Sequence, residues 1–322
     1  MIWKKNEVLI MVISSVSLLG AMLLPPFVSD LPVVLSRSDV AWHFDGQSNF
    51  FEWQYFWAQN DTGQWLIVSA GQSLKGDFLT VAFGGGTGNP KTHYYPGKLS
   101  VDQFGNLSFD SISAKYTQSS VSGSYQVAVK SSDLDFSGKF KVKSLPLRHG
   151  DVKLSDLVTT PNYYSLPMEV SGTLSFEGRK YIFDRSPALN DHQYGITDDI
   201  PKARDWSLAF DHTWVYADLS SVRVAAASLP DAGYLILQES NGRTTKTNDA
   251  KIEVSERFQN NLPKKIRLTS QNLGVELTVE IPKGEGASTD NLFLEDGSAV
   301  VSGTINGQHF DGLGIIESGN KN

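Results

Sequence analysis

The chain has 322 residues, a formal net charge of -7, 40% apolar and 11% aromatic residues, and no cysteine. That length admits two domains or one large β domain, and the composition excludes disorder. The missing cysteines exclude a disulfide framework, thiol catalysis and thiolate metal ligation, while the acidic balance with no basic stripe argues against a nucleic-acid partner. Six scattered histidines show no HExxH or comparable spacing, so neither a metal nor another cofactor is expected.

Lys4 and Lys5 precede a mostly apolar run from Val8 to Leu24 that Pro25-Pro26 closes. A basic segment followed by such a run is the pattern of an export signal or of a single membrane anchor. The chain is therefore expected to be exported, periplasmic or secreted, or held at a membrane by residues 1–30.

Beyond this segment the texture is that of short strands. Trp42, Phe44, Phe50, Phe51, Trp53, Tyr55, Phe56 and Trp57 crowd together, and within them stands Glu52. Large aromatic side chains commonly fill cores, but a carboxylate among rings must be exposed, paired or functional. Asp61-Thr62-Gly63 turns the chain into Trp65–Val68, and Phe78–Phe83 runs into a glycine-rich loop at Gly84–Gly88. No Gly-Lys-Ser/Thr follows, so this loop is not a phosphate cradle. Further strands are predicted at Leu107–Phe109, Tyr125–Val129, Leu134–Phe140 and Lys141–Leu145. Asn60-Asp61-Thr62 and Asn106-Leu107-Ser108 are glycosylation sequons only for a chain on a eukaryotic secretory route.

The stretch from Tyr163 to Gly195 organises the middle. Leu166, Met168, Val170, Leu174 and Phe176 share one parity, Glu177-Gly178 turns the chain, and Arg179, Tyr181 and Phe183 carry the two-residue period back. A short irregular run should then lead to Asp191-His192-Gln193-Tyr194-Gly195, a carboxylate, an imidazole, an amide and a phenol able to share hydrogen bonds. In the second half Trp206, Leu208, Phe210, His212, Trp214 and Tyr216 share one parity, unless Asp211-His212 is a turn. Strands are predicted at Val222–Ala226, Tyr234–Leu237, Ile252–Val254, Ile266–Leu268 and Val275–Ile281.

Several of these stretches, in this order, resemble the carotenoid 1,2-hydratase (hydroxyneurosporene synthase) and AttH-like family. Glu52, Trp53, Tyr55 and Phe56 match its opening strand, with Gln54 in place of the middle aromatic. YYSLP from Tyr163, a strand of small residues, a Gly turn and DHQYG from Asp191 match its centre, and Asp184 and Pro187-Ala188 stand where relatives often carry a Gly and a Trp. Asp205-Trp206 match the end of a Trp-Asp-Trp segment, and Gly312-Leu313-Gly314-Ile315-Ile316-Glu317 matches the closing hairpin.

The resemblance implies an all-β fold of two lipocalin-like antiparallel barrels, 31–188 and 189–322, after the segment 1–30. It implies a hydrophobic small-molecule partner, a polyene, isoprenoid or polyketide. The activity expected is cofactor-independent hydration or cyclisation of double bonds, including ring closure by a Diels–Alderase-type pericyclase; the alternative is a non-catalytic carrier or envelope-associated binding protein. His192, Asp191 and Tyr194 are the expected catalytic residues: His192 or Asp191 donates the proton, Asp191 orients or tunes His192, and Tyr194 borders the substrate. Glu52, Trp53, Tyr55, Trp206, His212, Trp214, Tyr216 and Asp218 are the expected substrate-binding set, with indole faces to stabilise a cation and Tyr216 and Asp218 to hold water.

Overall fold

The structure is a computed structural model that describes residues 42–43, 49–73, 76–85, 90–103, 106–120, 124–155, 158–197, 212–229, 233–259, 262–282, 287–289 and 294–319. The N-terminal segment 1–30 and Trp206 lie outside the described residues. Among the described residues no helix is long and apolar enough to cross a membrane.

The first sheet contains β1 (Phe50–Gln59), β2 (Trp65–Ser73), β3 (Gly76–Gly84), β4 (Lys91–Pro96), β5 (Leu99–Val101), β6 (Leu107–Phe109), β7 (Ser113–Ser120), β8 (Ser124–Lys130), β9 (Leu134–Val142), β10 (Leu147–Ser155), β11 (Val158–Phe176) and β12 (Arg179–Thr197). The second contains β13 (His212–Asp218), β14 (Val222–Ser228), β15 (Gly233–Glu239), β16 (Thr244–Thr247), β17 (Lys251–Arg257), β18 (Pro263–Ser270), β19 (Val275–Glu280), β20 (Ala287–Thr289), β21 (Leu294–Ile305) and β22 (Gln308–Gly319). Both are built by one rule. Each is an antiparallel meander whose first and last strands pair, β1 with β12 and β13 with β22, so that the sheet curls into a half-barrel. The all-β fold of two lipocalin-like antiparallel barrels that the resemblance implies is thus observed as two curled half-barrel sheets.

Three apolar clusters follow from the curl. One fills the first sheet, with Phe56, Leu66, Val81, Phe136, Phe140 and Tyr164 among its members. Another, wholly aliphatic in its buried part, fills the second around Val215, Leu235, Ile266 and Val279. The last lies between the sheets, where Phe51, Trp53, Tyr55 and Trp57 of β1 meet Trp214, Tyr216, Tyr234 and Ile236. Strand β1 thus faces a core on both sides and is buried along its whole length, which explains a run of aromatics at both parities. Strand β9, with solvent on one side, shows the alternation of a half-buried strand instead. Trp57 donates from Nε1 to Ser298 Oγ at 2.7 Å and so ties β1 to β21 across the middle layer.

The hairpin β11–β12 carries the motif. Its turn residues Glu177 and Gly178 have φ of 47° and 75°, and Asn306 and Gly307 in the closing hairpin repeat this at 51° and 77°. Two consecutive positive values are the signature of a tight turn whose twist suits antiparallel strands. No irregular run precedes the motif: β12 continues unbroken through it to Thr197. Position 188 accordingly falls inside a strand of the first sheet, and the second sheet starts at His212. The segment expected as a strand at Lys141–Leu145 is divided between the end of β9 and a connection to β10.

One departure from regular pairing governs the site. Val170 pairs with Ser186 but Gly172 pairs with Phe183, so one residue of β11 faces two of β12, Asp184 and Arg185. Arg185 takes φ 50°, and its amide donates to Ser171 Oγ at 3.2 Å. A bulge of this kind reverses which parity faces inward. Phe183 points into the first sheet before it; after it Ala188 does, and residues of even number follow.

Candidate functional site

Asp191 and His192 are neighbours on β12 and so leave it on opposite faces, and the bulge decides that His192 is the one turned into the first sheet. His192 stands opposite Tyr164 of β11 and Gln54 of β1, while Asp191 stands opposite Ser165 and Tyr55. Cross-strand partners share a face, so the motif supplies one polar cluster inside the first sheet and another between the sheets.

The inner cluster is centred on Glu52, which is fully buried. Its Oε1 accepts from His192 Nε2 at 2.8 Å and from His43 Nδ1 at 3.0 Å, and its Oε2 accepts the His43 backbone amide at 2.7 Å. Tyr164 Oη lies 2.9 Å from His192 Nδ1. Burial by itself would raise the Glu52 carboxyl, but the hydrogen bonds from His192 and His43 and the charge on His192 outweigh it and hold the group below the usual carboxylate range. With Glu52 ionised, His192 must donate from Nε2. Its Nδ1 then either accepts the Tyr164 hydroxyl proton or, in the imidazolium, donates to that oxygen. The ring of His43 stacks on Tyr194 at 3.8 Å, and Trp42 stands 6.2 Å from His192. Trp42, His43 and Tyr194 are half-buried, so this end of the cluster is the one nearest solvent.

The cluster between the sheets is a hydrogen-bonded chain. Ser165 Oγ donates to Asp191 Oδ1 at 2.8 Å, His149 Nε2 lies 2.8 Å from Ser165 Oγ, and His149 Nδ1 lies 2.6 Å from Tyr234 Oη. Burial, reinforced by the charge of Lys246, pushes the His149 imidazole well below its usual value, so it is neutral. The direction of every bond follows: Tyr234 donates to Nδ1, Nε2–H donates to Ser165, and Ser165 donates to Asp191. Gln193 Nε2 also donates to Asp191 Oδ2 at 3.1 Å. Burial raises the Asp191 carboxyl to about 7 against the lowering effect of Gln193, Ser165 and Tyr163, with the Glu317 carboxylate adding to the rise. His149 stacks on Tyr163 at 3.8 Å, and Lys246 Nζ sits 4.8 Å above the Tyr234 ring.

The expected site residues are thus divided. Glu52, His192 and Tyr194 come together inside the first sheet. Trp53, Tyr55, Trp214 and Tyr216 belong to the layer between the sheets with Asp191, so these aromatics do not surround His192. His212 opens β13 as a strand residue, not a turn, and bonds Glu317 through Nε2 at 2.9 Å. Asp218 lies at the far end of β13, where Arg223 Nε is 3.6 Å from its carboxylate. Glu52, not Asp191, is the carboxylate that holds His192. Tyr164, His43, His149 and Ser165 were absent from the expected set; the parity that Tyr164 shares with Leu166 and Met168 was the one signal pointing to it.

A cavity of about 450 Å³ opens at the other end of the middle layer, lined by Gln59, Trp65, Ser298 and Leu313 among others, and shares no lining residue with either cluster. Beside it, the side chain of Asn60 organises the β1–β2 turn: Oδ1 accepts from Thr62 and Gln64, and Nδ2 donates to Gln64 and to the Ile182 carbonyl. Glycosylation at Asn60 would leave Nδ2 a single hydrogen and so break at least one of the latter two bonds.

No family model matches the sequence. Among curated proteins there is likewise no match. The fold does have solved counterparts. An AttH-assigned protein from Nitrosomonas europaea superposes with a TM-score of 0.67 at 15% identity, over 92% of this chain and 99% of that one. Kievitone hydratase from Nectria haematococca gives 0.65 at 11% identity, over 90% and 94%. CghA with Sch210972 gives 0.59 at 11% identity, over 84% and 88%. At these identities the likeness is one of architecture: the two curled sheets of this chain are the same fold as those three proteins, over nearly their full lengths.

Proposed function

We propose that the chain is an enzyme that takes a hydrophobic small molecule at the inner face of the first sheet and passes it a proton from the chain Glu52–His192–Tyr164. The reaction adds water across a carbon–carbon double bond or closes a ring between such bonds, with no bound cofactor. The observation that carries this reading is the order carboxylate, imidazole, phenol in one hydrogen-bonded line, with bonds of 2.8 and 2.9 Å. In such a line the carboxylate fixes the ring and stabilises its protonated form, and the imidazole exchanges a proton with the hydroxyl beyond it.

In the hydration direction the Tyr164 hydroxyl gives its proton to an alkene carbon while His192 Nδ1–H restores the phenol. Water then adds to the carbocation and returns a proton to His192. The faces of Trp42 and Tyr194 lie beside His192 at 6.2 and 5.6 Å, where a developing cation would be stabilised. The fold is shared with kievitone hydratase, so hydration is a use that this architecture admits, and the basic and apolar N-terminus supports export.

A second reading, a carrier that binds without turnover, is favoured by the full burial of Glu52 and His192. Incubating the purified protein with extract of its producer and following masses separates the two. A product heavier by one water shows hydration, and an isomer of altered retention shows cyclisation. A ligand that co-purifies unchanged, with no product from any fraction, would reject the enzyme and leave the carrier.

A further inference from the structure

His43 Nδ1, a Glu52 carboxylate oxygen and His192 Nε2 all lie within 4.8 Å of one another. Each is held from behind. The His43 amide fixes Glu52 Oε2, Tyr164 engages the far nitrogen of His192, and Tyr194 stacks under the ring of His43. Ligands oriented by outer partners are how proteins build metal sites, and two imidazoles with one carboxylate form a donor set that borderline divalent cations favour.

We propose that His43, Glu52 and His192 form a binding site for a borderline divalent cation of the Zn²⁺ type, whose occupancy excludes the proton-transfer role of His192. The second half of this statement rests on the function proposed above; the binding itself does not. The separations of 2.8 and 3.0 Å from Glu52 Oε1 to the two ring nitrogens are hydrogen-bond lengths. Around zinc, donors at about 2.0–2.1 Å in a tetrahedral arrangement stand roughly 3.3 Å apart, so each ring nitrogen moves about half an ångström from Glu52 Oε1 while the two nitrogens, within 4.8 Å of each other, close by up to about 1.5 Å. The cation takes the lone pairs of His43 Nδ1 and His192 Nε2, so in a neutral ring the proton that faces Glu52 moves to the other ring nitrogen, and only an imidazolium releases one to solvent. His43 has the freedom for that shift, since its side chain is 23% exposed whereas those of Glu52 and His192 are sealed. With the cation on Nε2 the His192 ring can no longer become an imidazolium, and its Nδ1–H, which could leave only to give an imidazolate, no longer restores the Tyr164 proton.

The test uses the full protein, stripped with chelator and desalted, then titrated with ZnCl₂ in a calorimeter and with Co²⁺ in a spectrometer. One equivalent should bind, and Co²⁺ should show the visible bands of a four- or five-coordinate ion. His43→Gln keeps a donor toward Glu52 but loses the imidazole ligand. It should weaken binding by more than the roughly 10–100-fold that loss of an outer partner costs. His309→Ala, which removes an exposed imidazole paired with Asp311, should leave binding unchanged. No equivalent bound by the wild type, or equal affinity in His43→Gln, would overturn the site; loss in His309→Ala instead would put the ion elsewhere. Heat and spectrum are read without turnover, so the site can stand where the enzymatic reading fails. Zinc bound at one equivalent with turnover unchanged would reject the exclusion while leaving the site intact.

Discussion

A His192→Gln protein that remains folded will turn over about 10²–10⁴-fold more slowly than wild type, the usual worth of a positioned acid–base group. Glutamine keeps a hydrogen-bond donor toward Glu52 Oε1 but carries no exchangeable proton near pH 7, so the loss is chemical. Glu52→Gln should fall in the same range, because the neutral amide no longer stabilises the charged imidazole. The double variant should be no slower than the worse single one, as residues acting as one unit are not additive. Both substitutions disturb a buried hydrogen-bonded group and should cost about 1–3 kcal/mol of stability, so activity is to be counted per folded molecule in chelator-treated protein. Near-wild-type turnover by folded His192→Gln would reject the acid role and leave a shaped pocket or a carrier. Additive losses in the double variant would show that Glu52 acts on something other than His192.

The fold was readable where local chemistry decides it. Asn306-Gly307 and Glu177-Gly178 announce their tight turns, and strands such as Leu134–Val142 alternate cleanly because one face meets water. The all-β class and the closing hairpin follow from such segments. The site was half readable. Glu52 stood out as a carboxylate among rings, and it proves to be the partner of His192. What the chain does not display is the face each motif residue takes. Extending the parity of Arg179, Tyr181 and Phe183 through β12 would turn Asp191 inward and His192 outward. The bulge at Asp184-Arg185 reverses this, and nothing in those two residue types demands it. Next to the bulge, Gly172 lets β11 lie close against β9, since a Cβ there would come within 2.5 Å of the Ser137 carbonyl. The aromatic residues Trp53, Tyr55, Trp214 and Tyr216 were misplaced for a related reason. A strand packed on both faces has no polar side to reveal which layer its large residues enter. His43, His149 and Tyr234 meet their partners only through long-range pairing, which spacing along the chain does not encode.

Relative to wild type, Asp191→Asn will become more stable as pH rises from about 4 to about 7, by up to about 1.4 kcal/mol per pH unit. The Asp191 carboxyl sits at about 7 in the folded protein against 3.8 for the free group. Below pH 4 both states hold the proton and the group contributes nothing. Between the two values the native state keeps a proton that the unfolded chain has released, so stability falls as pH rises; above 7 the penalty stops growing. His149 works the other way. Its folded value lies well below 6.5, so the unfolded chain binds the extra proton under acid conditions and stability rises with pH up to about 6.5. In the wild type these two slopes oppose each other across much of the window, and its own pH profile is flattened. The comparison with Asp191→Asn removes one slope and leaves the other, so the difference isolates Asp191. Glu52, whose carboxyl is lowered, loses its contribution only at acid pH below the ordinary carboxylate range and is common to both proteins. The groups facing Asp191, namely Tyr163, Tyr234, His149, Lys246 and Glu317, are likewise common to both. Asparagine can still accept from Ser165, and Gln193 has to turn its amide to meet the new NH₂ group, so the variant starts about 1 kcal/mol less stable at about pH 4 and overtakes the wild type about one pH unit higher. Urea unfolding of both proteins at pH 5, 6 and 7 measures this directly. A difference that does not change with pH would show that Asp191 is ionised throughout, and that the chain from Tyr234 ends on a permanent charge.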